Sequence, residues 1–233
     1  TEDLVLKRIP SSVRLVVLPG PFHIDAREEA GIRAYQKDGR TFLFLGGFGD
    51  TPVDRVRALT GMDMAVFGQE SRTIVPSGTH DLTTGMTAVG APFLSNPTWA
   101  VTGGGEILGR SGTLTTLALR DNGSWKAVYA GCLWPTDVFY RNVARYAGAQ
   151  VYLDSGDTVF GNDELLVVHT RKGVPGSRTL RFGRKVDVYD YFGRRWYLGV
   201  ESVTVSLPGA RTAYFFFGDR AELLSRKLPG MTS

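Results

Sequence analysis

Ser124–Thr170 reads SWKAVYAG (Ser124–Gly131) followed by CLWPTDVFYRNVARYAGAQVYLDSGDTVFGNDELLVVHT (Cys132–Thr170), and this stretch decides the fold. An apolar strand at Trp125–Tyr129 runs into a helix, Trp134–Ala147, begun by Pro135, whose fixed φ suits a first helical turn. Ala147-Gly148 ends the helix ahead of a short strand, Ala149–Leu153, and the glycine is expected in left-handed backbone. Two more strands, Thr158–Phe160 and Leu165–Thr170, follow across Gly-Asp and Gly-Asn turns. An α/β layer thus passes directly into an antiparallel β module. The boundary is expected near Ser155, giving domains 1–155 and 156–233.

Towards the N terminus the rhythm is β-α-β-α-β. Val13–Leu18 (VRLVVL) is a short apolar run stopped by Pro19-Gly20-Pro21, the pattern of a buried parallel strand. Asp25 then begins a helix with Glu28 three residues on, a capping box with Asp as the cap, and Gly39 is expected to close it. Thr41–Leu45 (TFLFL) is a second buried strand ending in GGFGD. Thr51-Pro52 opens a helix from Val53 to Leu59, Gly61 ends it, and Met62–Phe67 is a third strand. This order predicts an open parallel sheet with helices on its faces.

From Gly68 to Gly112 the periodicity fades into Pro, Gly, Ser and Thr, and one strand, Thr98–Val101, is expected in an otherwise irregular insertion. Leu114–Leu119 and Trp125–Tyr129 flank Asn122-Gly123, a hairpin signal. Beyond Val151 every segment reads as strand. Ser177–Phe182, Val186–Tyr189, Ser202–Ser206 and Thr212–Phe217 join the two already named, and short strands between Gly-rich turns predict a small β-sandwich.

Composition narrows the function classes. Of 233 residues 42% are hydrophobic and 21% charged, ordinary for a folded chain. The net charge of +4 comes from 27 basic and 23 acidic residues scattered along the chain, a solvated rim rather than a nucleic-acid footprint, so no nucleic-acid partner is expected. No apolar run approaches the roughly 18–20 residues that span a bilayer, and TEDLVLKRIP has no signal-peptide core, so no membrane partner is expected either. A start at Thr1 leads to the expectation of a piece cut from a longer chain. One cysteine, Cys132, forms no internal disulfide and leaves the compartment unknown.

Candidate chemistry is sparse. GGFGD (Gly46–Asp50) follows a strand and precedes a helix but lacks GxGxxG spacing and any Gly-Lys-Ser/Thr, so a glycine-dependent turn is the expected reading; Gly103–Gly105 is read likewise. Cys132 lies at a strand–helix junction, where a nucleophile elbow would place it, yet Leu133 and Trp134 follow instead of small residues. A working thiol also needs a base, and His23, His80 and His169 are scattered. The inert buried thiol is the expectation. Asp154, Asp157, Asp163 and Glu164 sit in turn contexts rather than as a catalytic carboxylate pair, and no spacing holds a metal or cofactor. Trp134, Trp196, Tyr197 and Tyr191 are candidates for a sugar-stacking platform, against a plain core role.

VVLPGPFHIDAREEAGIRAYQKDGRTFLFLGGFGD with RVRALTGM, then AVYAG, LWPTDVFYRNVARYAGAQVY, DTVFGNDELLVVHT and KVDVYDYFG, together resemble the region that follows the barrel in β-galactosidases of glycoside hydrolase family 42 and related barrel proteins. The resemblance implies a degenerate, flavodoxin-like or class I glutamine-amidotransferase-like open sheet followed by a small antiparallel β-sandwich. In that family both catalytic glutamates belong to a preceding (β/α)8 barrel, so no catalytic residue carries over to this chain. The family's use of the domain implies a homotrimer and loops that approach a neighbour's sugar site. By position, Pro21, Phe22 and His23, after the first strand, are the candidates for that contact, against a reading of Phe22 as a helix-entry staple and His23 as solvated.

The expectation is a non-catalytic C-terminal part of a β-galactosidase-like glycoside hydrolase that packs on its barrel. Two alternatives stand beside it. One is a carbohydrate-binding module built on Trp196 and Tyr197. The other is a cysteine-dependent amidotransferase-type hydrolase using Cys132.

Overall fold

The computed structural model describes residues 2–6, 8–68, 71–95, 97–133 and 135–226. Two compact units emerge, Thr1–Ala149 and Gln150–Ser233.

The first unit runs α1 (Glu2–Val5), β1 (Leu15–Pro19), α2 (Ala26–Tyr35), β2 (Thr41–Leu45), α3 (Val53–Thr60), β3 (Asp63–Phe67), β4 (Ser71–Pro76), β5 (Val89–Ser95), β6 (Thr98–Gly103), β7 (Glu106–Ser111), β8 (Leu114–Asp121), β9 (Lys126–Ala130) and α4 (Asp137–Tyr146). Local chemistry sets the helix ends. Asp25 Oδ1 accepts from the Glu28 amide at 2.7 Å while Glu28 Oε2 accepts from the Asp25 amide, completing the capping box. That helix stops at Tyr35, before Gly39, which takes positive φ in the turn beyond. Gly61 caps α3 at φ +71°, and Thr136, one residue past Pro135, caps α4.

Nine strands form one mixed sheet in the order β1-β2-β9-β8-β7-β4-β5, with β3 on β6 and β6 joining β8. Among the described residues of this sheet only β1, β2 and β9 run parallel, and the other pairings are antiparallel. β2 is buried along its whole length because both faces are covered. Phe42 and Phe44 face Ile32, Tyr35, Val56 and Leu59 of α2 and α3, whereas Leu43 and Leu45 face Phe139 and Val143 of α4.

The expectation that β3 extends the open parallel sheet is corrected. Met64 is buried while Asp63 and Val66 are exposed, a partly solvated strand that suits an antiparallel edge. It pairs with β6 instead of extending the parallel set. The expected irregular insertion is corrected too: beside β6, where a strand was expected, β4, β5 and β7 form within it. Glycines and register shifts, as between Ile107 and Gly109, break the alternation that would have shown these strands in sequence.

The second unit is β10 (Thr158–Gly161), β11 (Leu165–His169), β12 (Gly176–Asp190), β13 (Arg195–Leu207), β14 (Thr212–Gly218) and α5 (Arg220–Ser225). Its strands make one antiparallel sheet, ordered β10-β11-β14-β12-β13. Ser177–Phe182 and Val186–Tyr189 are one long strand, irregular in register between Arg181 and Val186 and passing through Gly183 at φ +69°. The first half of β12 pairs only with β13, and its second half also pairs with β14. Leu180, Val205 and Leu207 from the far half share one core with Leu166, Val168 and Phe215, so the sheet folds over on itself and makes two layers. Ala149–Leu153 is not a strand. Its cross-chain backbone bond is Arg181 N–H to Tyr152 O, and one bond does not make a ladder.

Candidate functional site

β1, β2 and β9 end at the same edge of the parallel part, and in open α/β sheets ligands sit outside such carboxyl ends. The loops there are tightly joined. The Gly20 amide donates to Leu45 O and the Gly46 amide to Ala130 O, at 2.9 and 2.8 Å. The Asp50 amide donates to Phe22 O at 3.1 Å, the Ile24 amide to Thr51 Oγ1 at 3.0 Å, and Arg55 Nη1 to Ile24 O at 2.7 Å. Gly49 lies at φ +52°, where a Cβ would fall 2.0 Å from Phe22 O. Phe48 between these glycines is fully buried against Phe44, Trp99 and Tyr129. GGFGD is therefore a turn that anchors the core and brings the first two loops together.

On the rim of that edge Pro21 is half-buried, Phe22 is 58% exposed, and His23 Nδ1 lies 2.8 Å from Asp50 Oδ1. The hydrogen bond to Asp50, with its charge, raises the His23 pKa above the ordinary imidazole value, and the same bond lowers that of Asp50. Pro21, Phe22 and His23 thus form one exposed patch, to which the fold adds Asp50. The signal for Asp50 was its place after the second parallel strand, since such strand-end loops converge.

Cys132 lies at the end of β9 and is 6% exposed. It borders a small apolar cavity with Ile74, Met86, Leu117, Ala130, Pro135 and Phe139. No base lines that cavity. His80 Nδ1 instead accepts from the Leu82 amide at 3.0 Å, and its ring packs on Tyr146. Among the described residues no group of three or more His, Cys, Asp or Glu could hold a metal ion, and no helix is long and apolar enough to cross a membrane.

In the second unit Trp196 and Tyr197 are consecutive in β13 and point to opposite faces. Trp196 packs on Tyr189, its cross-strand partner, and Arg220 lies 5.3 Å from its ring centroid. Tyr197 sits against the core with its hydroxyl buried and Arg195 over its ring. One sheet face cannot present both rings to a sugar. Trp134 lies outside the described residues. Tyr191 belongs to a different group of rings, with Phe192, Tyr214 and Phe216.

Asp154, Asp157 and Glu164 of the junction sequence are engaged in ion pairs. Asp154 meets Arg181 at 2.6 Å and Glu164 meets Arg226. Asp157, its side chain 1% exposed, accepts from Arg178, Ser155 Oγ and the Arg171 amide. Burial alone would raise the Asp157 carboxyl, but these hydrogen bonds outweigh it and bring the pKa down to about 2.

No family model and no curated protein matches the chain. Solved structures do. The β-galactosidase from Bacillus circulans sp. alkalophilus aligns with a TM-score of 0.60 at 14% identity, over 87% of this chain and 32% of that one. A GH42 β-galactosidase, Gan42B, aligns at 0.54 with 12% identity, over 88% and 32%. A catalytic mutant of Gan42B from G. stearothermophilus aligns at 0.53 with 12% identity, over 92% and 33%. The chain therefore shares a fold with about a third of the length of these enzymes.

Proposed function

We propose that this chain is the non-catalytic C-terminal part of a glycoside-hydrolase-like protein, and that its work is assembly. The observation that carries the reading is the extent of the fold similarity. It covers 87% of this chain while using only 32% of a β-galactosidase chain, which leaves room for a separate catalytic domain. In this reading the α/β unit is a degenerate amidotransferase-like domain that packs on a (β/α)8 barrel of the same protein. Pro21, Phe22 and the His23–Asp50 pair meet a neighbouring subunit in a homotrimer.

Light scattering coupled to gel filtration tests it. The expected result is a trimer at micromolar concentration that dissociates in Phe22→Asp, an exposed position whose change leaves the fold intact. A chain that stays monomeric up to high concentration, alone and with its upstream region, would remove the assembly role.

A further inference from the structure

The sheet of the second unit has a face that its core does not use. Leu166, Val168, Ala213 and Phe215 point into the core, so the residues alternating with them point the other way. Register builds that outer face in rows. Phe160 lies opposite Val167, and Val167 opposite Tyr214. Tyr191 and Phe192, in the turn between β12 and β13, close the row, their ring centroids 6.3 and 5.5 Å from that of Tyr214. Phe160 and Phe192 are 66% and 61% exposed. The next row is polar: Thr158 lies opposite His169 and His169 opposite Thr212, with His169 Nδ1 2.8 Å from Thr212 Oγ1.

We propose that this face binds a neutral oligosaccharide chain. The aromatic row, about 9.5 Å from β10 to β14 at two inter-strand spacings, stacks on the C–H faces of successive pyranose rings. Thr158, His169 and Thr212, with the Tyr191 and Tyr214 hydroxyls, exchange hydrogen bonds with the sugar hydroxyls. The charge of the face selects this ligand. Neither row contains Lys, Arg, Asp or Glu, so an ionic ligand would find no permanent counter-charge in them. A dry protein interface would bury whatever hydrogen-bonding capacity the His169–Thr212 bond leaves over, at a cost that a sugar avoids by supplying hydroxyls beside apolar carbon. The site differs from the expected Trp196–Tyr197 platform, and it stands whether or not the chain assembles a hydrolase.

Affinity electrophoresis of the full chain tests it, using gels that contain soluble β-1,4-galactan, galactomannan or xyloglucan. The expected result is retardation in at least one gel, with Phe192→Ala and Tyr214→Ala each weakening apparent affinity about tenfold. Phe192 is exposed, so that variant should keep the parent melting temperature even where Tyr214→Ala does not. Migration unaffected by all three polysaccharides overturns the proposal, as does retardation that both variants retain. Sedimentation velocity supplies the remaining arm: loss of self-association in both variants with sugar retardation unchanged would make the face a contact between copies, and the proposal would fall.

Discussion

Gly148 sits at φ +73° with no atom within 4 Å of where a Cβ would be. The Gly148 amide donates to Arg145 O and the Ala149 amide to Ala144 O, so the helix closes in a Schellman motif. Because the surrounding space is open, the cost of a side chain there is backbone strain alone. Gly148→Val should destabilise by about 1–2 kcal/mol, and Gly148→Asn by clearly less, since Asn tolerates left-handed backbone. Thermal unfolding of both variants checks this; equal midpoints for Val and the parent would show that the turn is not under this constraint. At the strand-end edge, the His23–Asp50 bond raises the imidazole pKa and is made by exposed groups. An NMR titration should find His23 above its ordinary value near 6.5 and returned towards it in Asp50→Asn. An identical His23 titration in the two proteins would show that the pair does not persist in solution.

At the scale of elements, the buried pair of Asp157 and Arg178 ties the start of β10 to the far half of β12, holding the folded-over sheet closed. The Asp157 pKa is depressed, so its contribution to stability is present above the unfolded carboxylate value near 4 and is lost as pH falls towards about 2. Urea unfolding followed between pH 5 and 2 should therefore show a falling midpoint, with a shallower slope in Asp157→Asn. That variant leaves the Arg178 guanidinium buried without its counter-charge and should cost about 3–5 kcal/mol at neutral pH. A loss under 1 kcal/mol would mean that the pair is not desolvated.

For the molecule as a whole, each unit has its own core: two layers around β2 in the first, and one core within the folded-over sheet in the second. Separate cores are the physical condition for independent folding. Residues 150–226 expressed alone should give dispersed amide resonances and cooperative urea unfolding. A collapsed, non-cooperative species would show that the second unit depends on the rest of the chain.

Much of this was legible in the chain because it is decided within a few residues. The Asp25–Glu28 box, the Gly61 and Gly148 caps and the Asn122-Gly123 hairpin follow from which backbone torsions and short-range hydrogen bonds those residues allow. The buried strand Thr41–Leu45 was readable from its continuous apolar run. Partners distant in sequence settled the rest. β3 joins β6 instead of the parallel strands, and β4, β5 and β7 turn an apparent insertion into sheet. β12 continues past Gly183 because β13 pairs with it on both sides of the irregularity. Strand pairing also grouped Phe160, Tyr214 and Phe192, and brought Asp50 to His23. A strand's backbone bonds are made to residues tens of positions away. Its local pattern can show that one face is apolar, whereas only the assembled sheet decides which neighbour that face meets.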